Sequence, residues 1–591
     1  MYYSSGNFEA FARPRKPEGI DNKSAYFVGS GLAALASAAF LIRDAQLPGE
    51  RITIFEELGL PGGSMDGILD RHKGFIVRGG REMEEHFETL WDLFRSIPSL
   101  DTPGATVLEE MYWLHKADPS SSNCRAVENR GVPIPQMHEL TLSPQAVQEM
   151  LNLALTKESD LQDKRIDEFF GEEFFASNFW LYWATMFAFE PWASAMEMRR
   201  YLLRFVHHIA TLTDLSSLKF TRYNQYESLI LPLTAYLKDH GVRFEYDTEV
   251  TGIQVDTANG TKLARSLTMT TQGQQRTIEL SENDWVFVTN GSITESTTFG
   301  DDDHPAPIVT DAGGAWSLWK QLAAQDPAFG RPEKFYENIP QANWVISATI
   351  TLTDDRIAPY IAELTGRDPR SGTIITGGPC NFRDSSWLYG FTMSRQPHFA
   401  AQDANKELVL WVYGLFSDRV GDYVKKTIKE CTGVELCEEF LYHLGVPTDQ
   451  IADLARSSAH TIPCHMPYIT SYFMPRALGD RPEVVPAGSK NLAFIGNFAE
   501  TERDTVFTTE YSVRTAMEAV YTLAGVDRGV PEVFASSFDM RTLLNAVYYL
   551  NGQTKLDEVK LPLLARFIEG IALRKIEGTY LEELLAQAKL V

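Results

Sequence analysis

Residues 24–56 limit the fold of this chain more than any other stretch. Ser-Ala-Tyr-Phe-Val at 24–28 predicts a short buried strand. Gly29-Ser30-Gly31-Leu32-Ala33-Ala34 then turns it into an alanine-rich helix ending near Asp44. Arg51-Ile52-Thr53-Ile54-Phe55 predicts the next parallel strand, which closes on Glu56. Strand, glycine turn, helix, strand and acid in that order make a β-α-β dinucleotide-binding unit. The first glycine permits the tight turn, and the second lets a diphosphate approach the backbone. The small third residue lets helix and strand pack closely, and the helix N-terminus offers unpaired N–H groups to the phosphates. Glu56 is placed to accept from ribose hydroxyls, which disfavours a 2′-phosphate. The alternative is an ordinary strand-to-helix turn with an exposed glutamate.

Two further segments favour FAD over NAD. Leu60-Pro61-Gly62-Gly63-Ser64 supplies a second glycine turn just after Glu56, and Phe494-Ile495-Gly496-Asn497 precedes a helical stretch at 508–521. No second strand–glycine–helix unit exists for a nicotinamide nucleotide, and no CxxC pair supports a disulfide reductase. The expected cofactor contacts are Gly29, Gly31, Leu32, Ala33, Glu56, Gly63, Ser64, Glu82, Val250, Asn290, Ser292, Thr508 and Ser512.

At 591 residues a single core is not expected, since cores stop growing beyond roughly 250–300 residues. Further strands are read at 242–246, 250–255, 285–288 and 491–495. The expectation is an α/β protein with a discontinuous Rossmann-like FAD-binding domain, 20–90 with 216–309 and 481–536. Mixed substrate-binding regions occupy 91–215 and 310–480, and a helical C-terminal region 537–591. From 169 to 192, 11 of 24 residues are Phe, Trp or Tyr, which fits either a buried helix pair or the wall of a lipid tunnel.

The formal charge of −25 excludes nucleic acid as an expected partner, because phosphate binding needs clustered Lys and Arg. Five cysteines with no metal-type spacing predict free thiols, a reducing compartment and no metal. With no signal-type apolar core and no run of 18 apolar residues, the reading is cytoplasmic.

Arg78-Gly79-Gly80-Arg81-Glu82-Met83, Asn224-Gln225-Tyr226-Glu227-Ser228 and Arg395-Gln396-Pro397-His398-Phe399 resemble the oleate hydratases, earlier labelled myosin-cross-reactive antigens. The resemblance runs from the N-terminal Met-Tyr-Tyr-Ser-Ser-Gly to the helical tail. It implies water addition to a cis-9 double bond, giving a 10-hydroxy fatty acid, with FAD bound and no net redox change. It makes Glu82 the group that activates water and Tyr201 the group that protonates the alkene. Gln225, Thr392, Ser394 and His398 would hold the fatty acid carboxylate, with Ser394 standing where many relatives carry Asn or His. It also implies a homodimer, and either oleate or linoleate as substrate.

The chemistry suits those residue types. An alkene is a poor base, so one group must supply a proton while another readies water, an arrangement contributing roughly 10²–10⁴-fold. A phenol stays protonated at neutral pH and a carboxylate accepts. Local sequence alone leaves other roles open: an Arg81 ion pair for Glu82, helix packing for Tyr201, and a backbone-satisfied loop position for His398. Two other functions also stay open, a flavin oxidoreductase of the desaturase or amine-oxidase type and a lipid-binding protein that keeps FAD for stability. In the tail, 563–571 places apolar residues at helical spacing with Lys560, Arg566, Arg574 and Lys575 nearby. That pattern suits peripheral contact with an anionic membrane, or packing on the protein's own core or a partner chain.

Overall fold

A computed structural model describes residues 3–555 and 576–590, apart from 66, 81, 310, 338 and 340–344. The tail segment 563–571 and its flanking cations therefore lie outside the described residues, as does Arg81.

A five-stranded parallel sheet carries the dinucleotide unit. Strand β1 (Ser24–Val28) leads through helix α1 (Leu32–Arg43) to β2 (Ile52–Phe55), and β3 (Arg243–Glu245), β4 (Asp284–Thr289) and β5 (Leu492–Ile495) complete it. The spatial order is β5-β4-β1-β2-β3. Phe27 pairs in register with Phe287 across β1 and β4, and their rings stack 4.6 Å apart. Four alanines within 33–38 of α1 are buried, so the helix lies close on the sheet as the small third fingerprint residue requires.

The strands read at 242–246 and 250–255 belong to different sheets. Residues 243–245 form an edge of the parallel sheet beside β2, whereas Thr248–Asp256 opens a separate three-stranded antiparallel meander. Asp247, at φ +51°, turns the chain between them and ends the first pairing.

An eight-stranded sheet carries much of the remaining chain. Its centre is built from Ala459–His465, Ile346–Leu352 and Leu408–Gly414, antiparallel neighbours covered on both faces. Beside it stand the aromatic helix α2 (Asn178–Phe187) and helix α3 (Ala195–Arg204), while α4 (Thr509–Ala524) packs along α1.

Helix α3 is tied to its surroundings by charge. Glu197, Arg200 and Arg204 occupy one face at helical spacing. Glu197 meets Arg476 and Arg481, Arg200 meets Glu158 and Glu500, and Arg204 meets Glu84 and Asp504. Asp504 also holds Arg514 of α4. Buried lattices like this give little net stability, but removing one partner strands an uncompensated charge at about 3–5 kcal/mol. Their structural effect is to fix 500–504 between α3 and α4.

Candidate functional site

A cleft of about 1520 Å³ opens at the C-terminal ends of the parallel strands, where ligands of open α/β sheets bind. Twelve residues expected at the cofactor line it: Gly29, Gly31, Leu32, Ala33, Glu56, Gly63, Ser64, Val250, Asn290, Ser292, Thr508 and Ser512. Gly29 has φ +88° and Gly63 φ +58°, and a Cβ on Gly63 would stand 3.1 Å from the Gly31 Cα, so the two glycine turns pack backbone to backbone. The N-terminus of α1 has no side-chain cap, which leaves its first N–H groups for a ligand. Glu56 accepts from the Ser30 N–H at 2.9 Å and from the Leu58 N–H at 3.0 Å, so backbone fixes its position at the strand end. Asn290 is 1% exposed, yet both polar atoms of its side chain lack a protein partner. A buried amide left that way is costly unless a ligand completes it.

Glu82 does not line this cleft. It lies in the walls of three adjoining chambers of about 690, 440 and 540 Å³, which share Gly80 and Glu82. The segment bearing it is pinned at both ends. The Val77 N–H donates to the Thr349 hydroxyl, and Met83 exchanges backbone hydrogen bonds with Lys219. The 690 Å³ chamber has mostly apolar walls, including Phe87, Trp183, Met186, Phe187 and Phe205. Phe507 stands between the cofactor cleft and two of the chambers, lining all three.

Gln225, Thr392, Ser394 and His398 come together in the 440 Å³ chamber with Glu82. Thr392 ends a strand (Tyr389–Thr392) in register with Trp411 of the next, and Gln225 precedes a π-helical turn, Tyr226–Ile230. The Gln402 side chain accepts from the His398 N–H at 2.8 Å, and the His398 carbonyl accepts from the Asn224 amide. The His398 ring is different: its Nδ1 has no protein partner, and burial pulls its pKa down to about 4. Backbone therefore fixes the loop while the imidazole stays neutral and faces the chamber.

Tyr201 is not part of these walls. It is fully buried against Phe187, Phe189, Phe205 and Phe473, and its hydroxyl donates to the Val506 carbonyl. Burial holds its pKa well above the ordinary phenol value. Phe187 and Phe205 both line the apolar chamber, so Tyr201 stands directly behind that wall.

The sequence profile of the MCRA family matches residues 22–521. The chain belongs to the MCRA family. It is 55% identical to the Oleate hydratase of Streptococcus pyogenes serotype M49 (strain NZ131) over 593 residues, covering 100% of both chains. It is also 32% identical to the Linoleate hydratase of Lactiplantibacillus plantarum over 544 residues, 85% of this chain and 94% of that one. Among solved structures, Cyclohexylamine Oxidase from Brevibacterium oxydans IH-35A shares the fold at 12% identity, with a TM-score of 0.50 over 85% of this chain and 99% of that one.

In this MCRA chain several groups at the chambers escape a reading of the sequence. Arg125 is fully buried, donating to the carbonyls of Tyr182 and Pro379, and its charge bears on Glu82. Arg78 lines both the cofactor cleft and a chamber, and donates to the Gly63 carbonyl at 3.0 Å. Glu84 and His208 line the apolar chamber beside Glu82. Arg78 and Glu84 lie in or next to the Arg-Gly-Gly-Arg-Glu-Met run, which was the one available signal. Arg125 and His208 carry none.

Proposed function

We propose that this chain binds FAD and adds water across the cis-9 double bond of free unsaturated fatty acids, oleate and linoleate, giving 10-hydroxy acids without net redox change. One observation carries the reading: Glu82 stands where a chamber in which Gln225, Thr392, Ser394 and His398 converge adjoins two mostly apolar ones. A fatty acid needs that pairing, a polar end for its head and apolar space for its chain. The names of the two hydratase relatives support the substrate class.

The residues of the cleft fit FAD. Uncapped α1 N–H groups suit the diphosphate, Glu56 suits a ribose, and the Asn290 amide needs partners that the protein does not give it. Bound there, the cofactor would supply a rigid polar surface beside the chambers while no hydride leaves or arrives.

The protein groups then divide the work. Gln225, Thr392, Ser394 and His398 hold the carboxylate and so measure the distance to the double bond. The Glu82 carboxylate takes the proton of water as the C–O bond forms at C10. The Tyr201 hydroxyl gives its proton to C9, which requires it to exchange the Val506 carbonyl for the substrate. Fixing both groups about one alkene sets regiochemistry and face. Glu82 is set here by backbone pinning, and the buried Arg125 charge acts on it favourably.

The test is incubation with oleate and FAD in water enriched in oxygen-18, followed by mass spectrometry of the lipid. A hydroxy acid carrying one labelled oxygen is expected, falling by at least about 10²-fold in Glu82→Gln and Tyr201→Phe. An added double bond, or oxygen derived from O₂, would refute hydration and select an oxidoreductase. We further propose that the chain is a homodimer and that 556–591 contacts anionic membranes. Within it, 560–575 sets four cations and one acid among apolar residues at helical spacing, which supports the membrane contact. No helix among the described residues is long and apolar enough to cross a membrane.

A further inference from the structure

We propose that His208, Glu84, His207 and His86 form a proton relay that connects the Glu82 chamber to solvent. The inference rests on the hydration reading and adds the route by which its acid and base are reset.

Hydration is neutral overall, but its two proton-handling groups end each turnover in the wrong state. Glu82 holds a proton taken from water, and Tyr201 has given one to carbon. The chamber between them is walled largely by Phe, Trp, Met and Leu side chains, which neither accept nor pass protons. Besides Glu82, Glu84 and His208 are the ionisable groups in its lining.

Those two open onto a connected set. His208 Nε2 lies 3.3 Å from Glu84 Oε2, and His207 Nε2 approaches the same oxygen at 3.5 Å. The two imidazole rings are 3.9 Å apart. The His207 ring meets His86 edge-on at 5.6 Å, and the His86 side chain is 35% exposed, with Nδ1 3.2 Å from Glu88. The set thus runs from a chamber-lining imidazole, through a buried carboxylate and a second imidazole, to a half-exposed third.

The surroundings suit transfer better than storage of charge. Burial pushes the Glu84 carboxyl up, but the His207 hydrogen bond, the nearby His208 imidazole and the charge of Arg204 outweigh it, so the group stays ionised. Burial pulls His207 down to about 4, so it is neutral at pH 7; its Nε2 faces Glu84 and its Nδ1 has no protein partner, so the step from His207 to His86 runs through water. These three side chains could also gather round a cation, since their ligand atoms lie within 4.8 Å of one another. Arg204 argues against that use. Its guanidinium already binds Glu84 Oε1 at 3.0 Å, leaving a charge-balanced carboxylate for the two imidazoles.

The balance closes. The proton on Glu82 passes to His208 and out through Glu84, His207 and His86, and one returns by the same groups to the Tyr201 oxygen. No electrons move, and the net proton count per turnover is zero.

The test uses full-length protein with FAD and oleate, comparing wild type with His208→Asn and His207→Asn. Each variant is expected to lose kcat by at least about tenfold while KM for oleate and FAD affinity stay within twofold. Millimolar imidazole should restore much of the loss, which a packing defect would not allow. Wild type that forms no hydroxy acid refutes hydration and the relay together. Active wild type with equally active variants refutes the relay alone. A loss in both variants that imidazole fails to restore also overturns it. So does wild-type activity abolished by a chelator and recovered with zinc, which would assign the cluster to a metal.

Discussion

Replacing His398 by Asn should make the protein more resistant to acid. The imidazole is held near a pKa of about 4 by burial, against an ordinary value of 6.5. The unfolded chain therefore binds a proton at pH 5 that the folded chain refuses. With the folded value depressed for a base, stability is complete above pH 6.5 and drains away as pH falls toward 4. A depression from 6.5 to about 4 is worth about 3 kcal/mol at most. At pH 5 the loss from this one residue is about 2 kcal/mol, from 1.5 pH units at about 1.4 kcal/mol each. The assay is urea unfolding followed by tryptophan fluorescence at pH 7.5 and 5.0, for wild type and His398→Asn. All other titrating groups are common to both proteins, so the difference between the two pH-induced losses isolates this site. The variant should lose about 2 kcal/mol less than wild type on acidification. Equal losses would refute a neutral, chamber-facing His398, and with it the reason this ring has an unfilled Nδ1. Oleate should reverse part of the wild-type effect, because a carboxylate against the ring favours its protonated form.

Gly63→Ala should weaken FAD binding at least about fivefold by fluorescence titration, since a left-handed φ costs about 1 kcal/mol and the new methyl presses on the Gly31 Cα. Gly29→Ala bears similar strain but meets only the Thr289 side chain at 3.6 Å, so equal weakening in both would refute the role of the close backbone approach. Deleting 556–591 should reduce cosedimentation with anionic liposomes, and unchanged sedimentation would remove the tail from the membrane proposal.

How much the sequence reveals depends on how local each device is. The glycine turns, the α1 N-terminus and Glu56 are built within a few dozen residues, and their chemistry needs particular side chains at fixed spacing. Twelve expected cofactor residues consequently line one cleft. The eight-stranded sheet was not legible strand by strand, because strands buried on both faces, such as Ile346–Leu352, lack the alternation that distinguishes strand from helix. Resemblance alone named Gln225, Thr392, Ser394 and His398, and the structure places them in one chamber with Glu82. The partner of Tyr201 lies 305 residues away, and the Glu84–Arg204 pair is separated by 120, distances over which no spacing rule operates.

The parallel sheet has a consequence for synthesis. Its strand order, β5-β4-β1-β2-β3, interleaves the first and last parts of the chain. The cleft wall formed by Thr508 and Ser512 does not exist when Gly29 and Gly31 leave the ribosome. At roughly 5–20 residues per second, about 25–100 s separate the two. Once β4 is made, its outer edge waits a further period of about 10–40 s for β5 (Leu492–Ile495) to be synthesised, an exposed template for pairing with another chain. The nascent protein therefore passes through a window in which no cofactor can rescue it. Its yield in a cell should depend on translation speed and on chaperones that cover that edge more than on the supply of flavin.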